Sequence, residues 1–352
     1  MKPLMRKILL PFILLSIFTL NAKELNNKND LDVLLNVGGA YHINGHPENS
    51  SYSSTFGDEV IKYLRADIQY TYKAKNGMRA RFELDADNNR AGVIKIKEAW
   101  FQMPFKNHTT LKFGNIRKDL GLKGKRGISE RNFIQKSLLY RHIKSFSVLD
   151  YDLMFRTKLE QDIGKNKMIY KLVFGADENM QVYLNFAYTF KIKNSEFVIS
   201  DLYVNHVDTR IDKQNSNHFV LSYNQYPGNW NNSLEFFAGI DPNASNYDVD
   251  ERTIHYLGSE LQVSHFFQFN KKDDRITKGV EPTFQLGWLT NDYESLFDGF
   301  LEMRAGFVVA LCKPFPIRWL NNYETFLKRD KNTDILWSRH HNTISSVIQL
   351  KW

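Results

Sequence analysis

The chain has 352 residues, with 47 lysines and arginines against 39 aspartates and glutamates, for a net charge of +8. A single cysteine, Cys312, excludes an internal disulfide framework and a cysteine metal cluster, and it reads as a small apolar residue on a strand. A mean hydropathy of −0.45 excludes a helical membrane protein, while 14% aromatics and only 9 prolines mark a chain rich in strand formers and poor in strand breakers.

At the N-terminus Lys2, Arg6 and Lys7 precede the apolar run from Ile8 to Leu20, and a small residue follows at Ala22. That order describes a secretory signal peptide over residues 1–22. The run is too short for a membrane-crossing helix, which takes about 20 residues. Export leaves residues 23–352 as one domain, and loss of three bases lowers the charge from +8 to about +5. No cysteine lies near the cleavage point, which argues against a lipid anchor.

From there period-2 alternation dominates. In the segment starting at Tyr63, Leu64, Ala66, Ile68, Tyr70 and Tyr72 share one face, and Arg65, Asp67, Gln69, Thr71 and Lys73 the other. Asn76-Gly77 signals a hairpin. Beyond it Ala80, Phe82, Leu84 and Ala86 oppose Arg79, Arg81, Glu83 and Asp85. About sixteen such segments begin near 31, 60, 77, 92, 109, 151, 167, 181, 196, 216, 232, 252, 279, 299, 317 and 341. Those near 92, 196 and 317 are weak, because their alternation breaks. A helical period shows only over Glu130–Ile143.

The apolar faces are aromatic and the opposite faces charged. A barrel with lipid outside and water inside requires that arrangement, since no sheet edge can go unpaired in lipid. The expected fold is therefore all-β, a transmembrane antiparallel β-barrel of about 16 strands, too wide for side chains to fill. The last segment places Ile344, Ser346, Ile348, Leu350 and Trp352 on one face and stops on an aromatic, as outer-membrane barrels do. One connector, Lys118 to Leu149, is far longer than the usual two to six residues.

Charge selects ions in a pore, and arginine or lysine rings select anions. Strand parity sends Arg65, Arg79, Arg81, Arg156, Lys158 and Lys171 to the lumen, with Arg304 and Lys351. Asp67, Glu83, Asp85 and Glu160 share those faces, so strand charge alone is close to balanced. The long connector is not. Arg117, Lys118, Lys123, Lys125, Arg126, Arg131, Lys136, Arg141 and Lys144 face only Asp119 and Glu130.

Residues 61–159 resemble the phosphate-selective porin family of outer-membrane channels (the OprO/OprP type). The resemblance is carried by Glu98-Ala99-Trp100, by Gly114, Arg117, Gly121 and Leu122, and by Phe133-Ile134 with Ser137-Leu138. Asp119 and Leu120 stand where that family has Pro and Phe, and Gln135-Lys136 replaces Glu-Arg. The resemblance implies that the long loop, a constriction candidate over 118–149, folds into the lumen. It makes Arg117, Lys118, Lys123, Lys125, Arg126, Arg131 and Lys136 the constriction candidates. Gly121, Gly124 and Gly127 would permit the positive-φ turns of an infolded loop. It further implies a homotrimer in the bacterial outer membrane, placed there by the barrel assembly machinery and touching outer-membrane lipid. Small anions, phosphate possible among them, would be the partners, and no cofactor, metal or nucleic acid is expected. A non-selective general porin is the alternative.

Two other classes compete. A barrel-type outer-membrane enzyme needs a Ser–His–acid set, but Ser264 and His265 are neighbours on opposite faces and His340-His341 lack a nucleophile. The expectation is no enzyme. An exported soluble β-protein binding glycans would share the aromatics and the alternation, yet need no detergent for extraction.

Overall fold

The computed structural model describes residues 28–44, 61–87, 93–117, 120–121, 132–133, 137, 139–140, 143, 151–163, 166–176, 182–205, 215–241, 255–269, 277–290, 299–311, 317–329 and 338–351. The signal segment and Cys312 lie outside them. The strands in chain order are β1 (Lys28–Asn44), β2 (Ile61–Lys73), β3 (Arg79–Asp87), β4 (Val93–Pro104), β5 (Thr109–Arg117) and β6 (Tyr151–Ile163). They continue as β7 (Asn166–Ala176), β8 (Val182–Ile192), β9 (Ser195–Asn205), β10 (Asn215–Gln225), β11 (Trp230–Ile240) and β12 (His255–His265). The last are β13 (Phe267–Gln268), β14 (Thr277–Thr290), β15 (Gly299–Leu311), β16 (Ile317–Arg329) and β17 (Ser338–Lys351).

Apart from the short β13, each strand pairs antiparallel with the long strands before and after it, and β1 closes the sheet by pairing with both β2 and β17. The two-residue β13 resumes the path of β12 along β14, so the closed barrel has sixteen passes. Closure leaves no edge. Among the described residues no helix is long and apolar enough to cross a membrane.

The alternation sorts side chains as the sequence predicts. Phe174, Leu184, Phe186, Phe219, Phe236, Leu261 and Phe284 stand on the outside, each 40–54% exposed. Their inward neighbours Val173, Tyr183, Ala187, Val220 and Phe237 are buried. The Gly77 turn is confirmed at φ +84, with the Ala74 amide donating to the Met78 carbonyl at 2.9 Å. Aromatic pairs cluster toward the short-turn end, among them Tyr170–Tyr188, Phe197–Tyr223 and Trp230–His265.

The weak segment near 92 has a physical cause. A β-bulge falls between Glu83 and Leu84 of β3, opposite Lys97 of β4. The extra residue lets both Lys97 and Glu98 reach the inside, so alternation breaks in sequence while the sheet continues. Segment 196 breaks differently. Asp201 lies on the exposed outer face of β9, directly between Phe186 and Phe219. A carboxylate in an apolar band costs stability, and Asp201→Leu should stabilise the barrel by about 1 kcal/mol. The check is a higher temperature for loss of the compact form on detergent gels.

Candidate functional site

The inner wall is divided by charge and by water access. On β1–β4, the described inward ionic side chains are Asp30, Asp32, Arg65, Asp67, Lys73, Arg79, Arg81, Glu83, Asp85, Lys95, Lys97 and Glu98, six bases and six acids. Most are bound to one another. Arg65 Nε lies 2.8 Å from Asp85 Oδ1 and 3.3 Å from Asp67 Oδ2. Arg81 holds Glu83 at 2.5 Å and Glu98 at 2.9 Å. Lys97 pairs with Asp67 and lies 3.4–3.5 Å from Asp85 and Glu83. Two of the predicted pore arginines, Arg65 and Arg81, are thus neutralised in place. Arg79 is exposed near the short turn.

On β5–β8 the balance is different. Lys112, Arg156, Lys158, Lys167, Lys171 and Lys191 face inward against a single described carboxylate, Glu160. The strand charges are therefore segregated, and the expectation of near-balance fails locally. The registers set bases directly opposite bases: Lys112 against Arg156, Lys158 against Lys171, and Lys167 against Lys191. Like charges so placed repel and destabilise a sheet. Glu160 relieves part of this by pairing with Lys158 and, at 2.9 Å, with Lys167. Glu196 of β9 lies 3.5 Å from Lys191, and Lys112 Nζ sits 3.6 Å over the Trp100 ring. Arg156, Lys158 and Lys171 are thus brought together. Lys112, Lys167 and Lys191 belong with them, and strand parity extended along each segment would have found all three.

The opposite side of the lumen is covered. Leu120, Leu139, Tyr140 and Ile143, all from the long connector, form one buried cluster with inward residues of β8–β12, β14 and β15: Tyr183, Leu202, Val204, Val220, Phe237, Tyr256, Leu289 and Phe300. Leu139, Tyr140 and Ile143 have helical backbone, within the stretch where a helical period is expected. Polar contacts join the same surfaces. The Tyr140 hydroxyl donates to the Glu235 carboxylate, 3.0 and 2.9 Å from its two oxygens, and Ser222 donates to it at 2.8 Å. Asn132 Nδ2 lies 2.6 Å from Glu281 Oε1, 3.1 Å from Thr283 Oγ1 and 3.3 Å from Ser264 Oγ. Arg318 donates to Asn132 Oδ1 at 3.2 Å. The Phe133 ring lies 4.8 Å from the Arg304 guanidinium, which is itself bound to Glu324. Arg304 therefore faces inward, as expected, but is buried and ion-paired.

Gly121 allows this approach. It has φ +67, and a Cβ there would stand 2.7 Å from the Tyr140 hydroxyl and 2.9 Å from Glu235 Oε1. Lys118, Lys123, Lys125, Arg126, Arg131, Lys136, Gly124 and Gly127 lie outside the described residues, as do the side chains of Arg117 and Lys351. Sequence reasoning missed the docking residues Asn132, Tyr140 and Glu235, because a polar residue in a loop and an acid on a strand show no periodic signal. Ser264 points inward and donates to Glu281 at 2.7 Å, whereas His265 packs outside on Trp230 and Phe267. Among the described residues no cluster of His, Cys, Asp and Glu could hold a metal ion.

No family model matches the chain, and no curated protein matches it. Solved barrels do. The anion-selective porin from Comamonas acidovorans aligns over 93% of this chain and 100% of its own, with TM-score 0.62 and 10% identity. OmpF of Salmonella typhi, solved in complex with daunomycin, aligns over 94% and 99%, with TM-score 0.63 and 8% identity. The outer-membrane channel DcaP of Acinetobacter baumannii aligns over 93% and 97%, with TM-score 0.60 and 12% identity. The chain therefore has the sixteen-stranded barrel fold of these channels.

Proposed function

We propose that the chain is an outer-membrane porin through which small anions diffuse passively, exported by residues 1–22 and placed by the barrel assembly machinery. One observation carries the anion preference. Two of the three opposed base pairs, Lys158 with Lys171 and Lys167 with Lys191, lie on the part of the wall still open to water, since Lys158, Lys167 and Lys191 keep 28, 43 and 45% of their side-chain surface exposed. Charge of one sign between low-dielectric walls concentrates counter-ions, and repulsion between paired bases is relieved when an anion stands between them. The fold shared with outer-membrane channels supports the location, and an apolar outer band supports lipid contact.

The 118–149 segment narrows the passage in this proposal. Its described residues cover inward side chains of β8–β12, β14 and β15, which would leave the conducting path along the rest of the wall, and its bases would add positive field there. Phosphate is the finer proposal and rests on the motif at Gly114, Arg117, Gly121 and Leu122. A homotrimer is the proposed assembly. Ala66, Ala80, Ala86 and Ala99 make the outer faces of β2–β4 flatter than the phenylalanine-rich arc beyond, and small residues let barrels approach closely. No catalytic role is proposed.

The test is current through single channels in a planar bilayer under a KCl gradient. A reversal potential of anion-selective sign supports the proposal, and block of chloride current by added phosphate supports the finer one. Cation selectivity would overturn the anion preference. Equal permeability leaves a general porin, and absence of channels removes the porin reading itself.

A further inference from the structure

The end of the barrel that carries the short turns has a charge pattern unrelated to the lumen. The described turns there are 74–78, 105–108, 193–194 and 226–229. Lys75, Lys106 and Lys193 are exposed at the first three, and none of the four contains an aspartate or glutamate. Aromatic side chains crowd the same end: Phe105, Tyr226, Trp230, Phe267 and Phe269 are 40–55% exposed. Aromatics of this kind mark the headgroup level of a bilayer, and lysines beyond them reach for headgroup phosphates.

Lys193 gives a second, independent sign. Ile192 and Ser195 pair across a two-residue turn, and Lys193 opens that turn at φ +45. Glycine is the ordinary residue at the first position of such a turn. A lysine held there at the cost of backbone strain points to a use for its charge.

We propose that the short-turn rim is a binding surface for anionic phospholipids, with Lys75, Lys106 and Lys193 contacting the phosphodiester of the adjacent leaflet. The proposal rests on the membrane placement argued above, and not on ion selectivity. The phosphodiester carries one diffuse negative charge, which suits flexible point-charge ammonium groups on turns better than a rigid fork. Headgroups so held would fix the height of the barrel in the bilayer.

The experiment uses the full barrel reconstituted in phosphatidylcholine bilayers. Spin-labelled phosphatidylglycerol and phosphatidylcholine are compared for relative association at the protein surface. The native protein should favour phosphatidylglycerol about fivefold or more, given the attraction of each lysine for an anionic surface. The preference should shrink toward one at about 1 M salt, where exposed charges are screened. The triple variant Lys75→Gln, Lys106→Gln, Lys193→Asn should lose it at low salt while conducting as the native channel does. Unchanged conductance separates this proposal from the porin reading, and Lys193→Asn relieves rather than adds turn strain. Equal association of both headgroups with the native protein would overturn the proposal, as would a preference that survives in the variant. Lysine-dependent retention on purified cell-wall polymer, without headgroup preference, would also overturn it by naming an acidic polymer instead.

Discussion

A Gly121→Ala, Asn132→Ala variant should carry several times the native single-channel current, because both anchors of the 120–143 segment fail together. At Gly121 an added Cβ meets the Tyr140 hydroxyl at 2.7 Å and Glu235 Oε1 at 2.9 Å, and φ +67 is unfavourable for alanine. The backbone term costs about 1–2 kcal/mol, and loss of a hydrogen bond to a carboxylate costs about 1.5–3 kcal/mol. Removing the Asn132 amide loses its contacts to Glu281 and Arg318, about 1.5–3 kcal/mol each. Together these reach about 5.5–11 kcal/mol. Burial of Leu120, Leu139 and Ile143 holds the segment by about 1.5–3 kcal/mol apiece. The loss thus matches or exceeds the apolar hold in the double variant, whereas either single variant leaves the segment seated but looser. The strand ladders touch neither change, so the barrel itself survives, as unaltered heat-modifiable mobility should confirm. Native conductance in a correctly folded double variant would show that this segment does not limit the current.

Strand order and facing were legible in sequence because an apolar outer face and a polar inner face impose opposite demands on successive residues, and a period of two carries no ambiguity where both demands act. Leu184 and Phe186 against Tyr183 and Asn185 show this at full strength. The signal failed where geometry inserts a residue, as at the Lys97 bulge, or where a strand departs from its own pattern, as at Asp201. The lumen was legible in parts. Parity put Arg156, Lys158 and Lys171 on the polar faces of their strands, but the pairing of bases depends on register, which a single strand does not reveal. Neutralisation of Arg65 and Arg81 is likewise a property of three strands together. The contact of Leu120, Leu139, Tyr140 and Ile143 with the inner wall of β8–β12, β14 and β15 was hidden for another reason. Tyr183, Val220, Phe237 and Leu289 look like ordinary exceptions on polar faces until the connector residues that cover them are placed.

Those four residues also explain why charge is segregated in this barrel. A wall covered by an apolar cluster can hold ionic groups only if each is bound, and Glu235, Glu281 and Arg304 all are. A wall left to water can tolerate unbalanced charge, because solvent and mobile ions compensate it. Apart from the buried Lys112, the surplus of bases on β5–β8 therefore sits where it is least costly to the fold and open to water.

Replacing Lys158 and Lys171 together by glutamine should move stability and selectivity in opposite directions. The two face each other across β6 and β7, so removing both charges relieves a like-charge pair and should stabilise the sheet by about 0.2–1 kcal/mol. Glu160 loses Lys158 but keeps Lys167 at 2.9 Å, and is not left without a counter-charge. A passing anion loses more. Two ammonium charges at about 5 Å in a water-filled lumen contribute about 0.8 kcal/mol each, so their removal should lower anion permeability by about tenfold, and the anion-to-cation permeability ratio by at least that much. The ratio is read from reversal potentials under a KCl gradient, and stability from the temperature at which the compact form is lost on detergent gels. A more stable barrel with weaker anion preference shows that the pair is kept for conduction against the interest of the fold. If stability and selectivity fall together, the two lysines serve the wall through Glu160, and the selective charge lies elsewhere in the lumen.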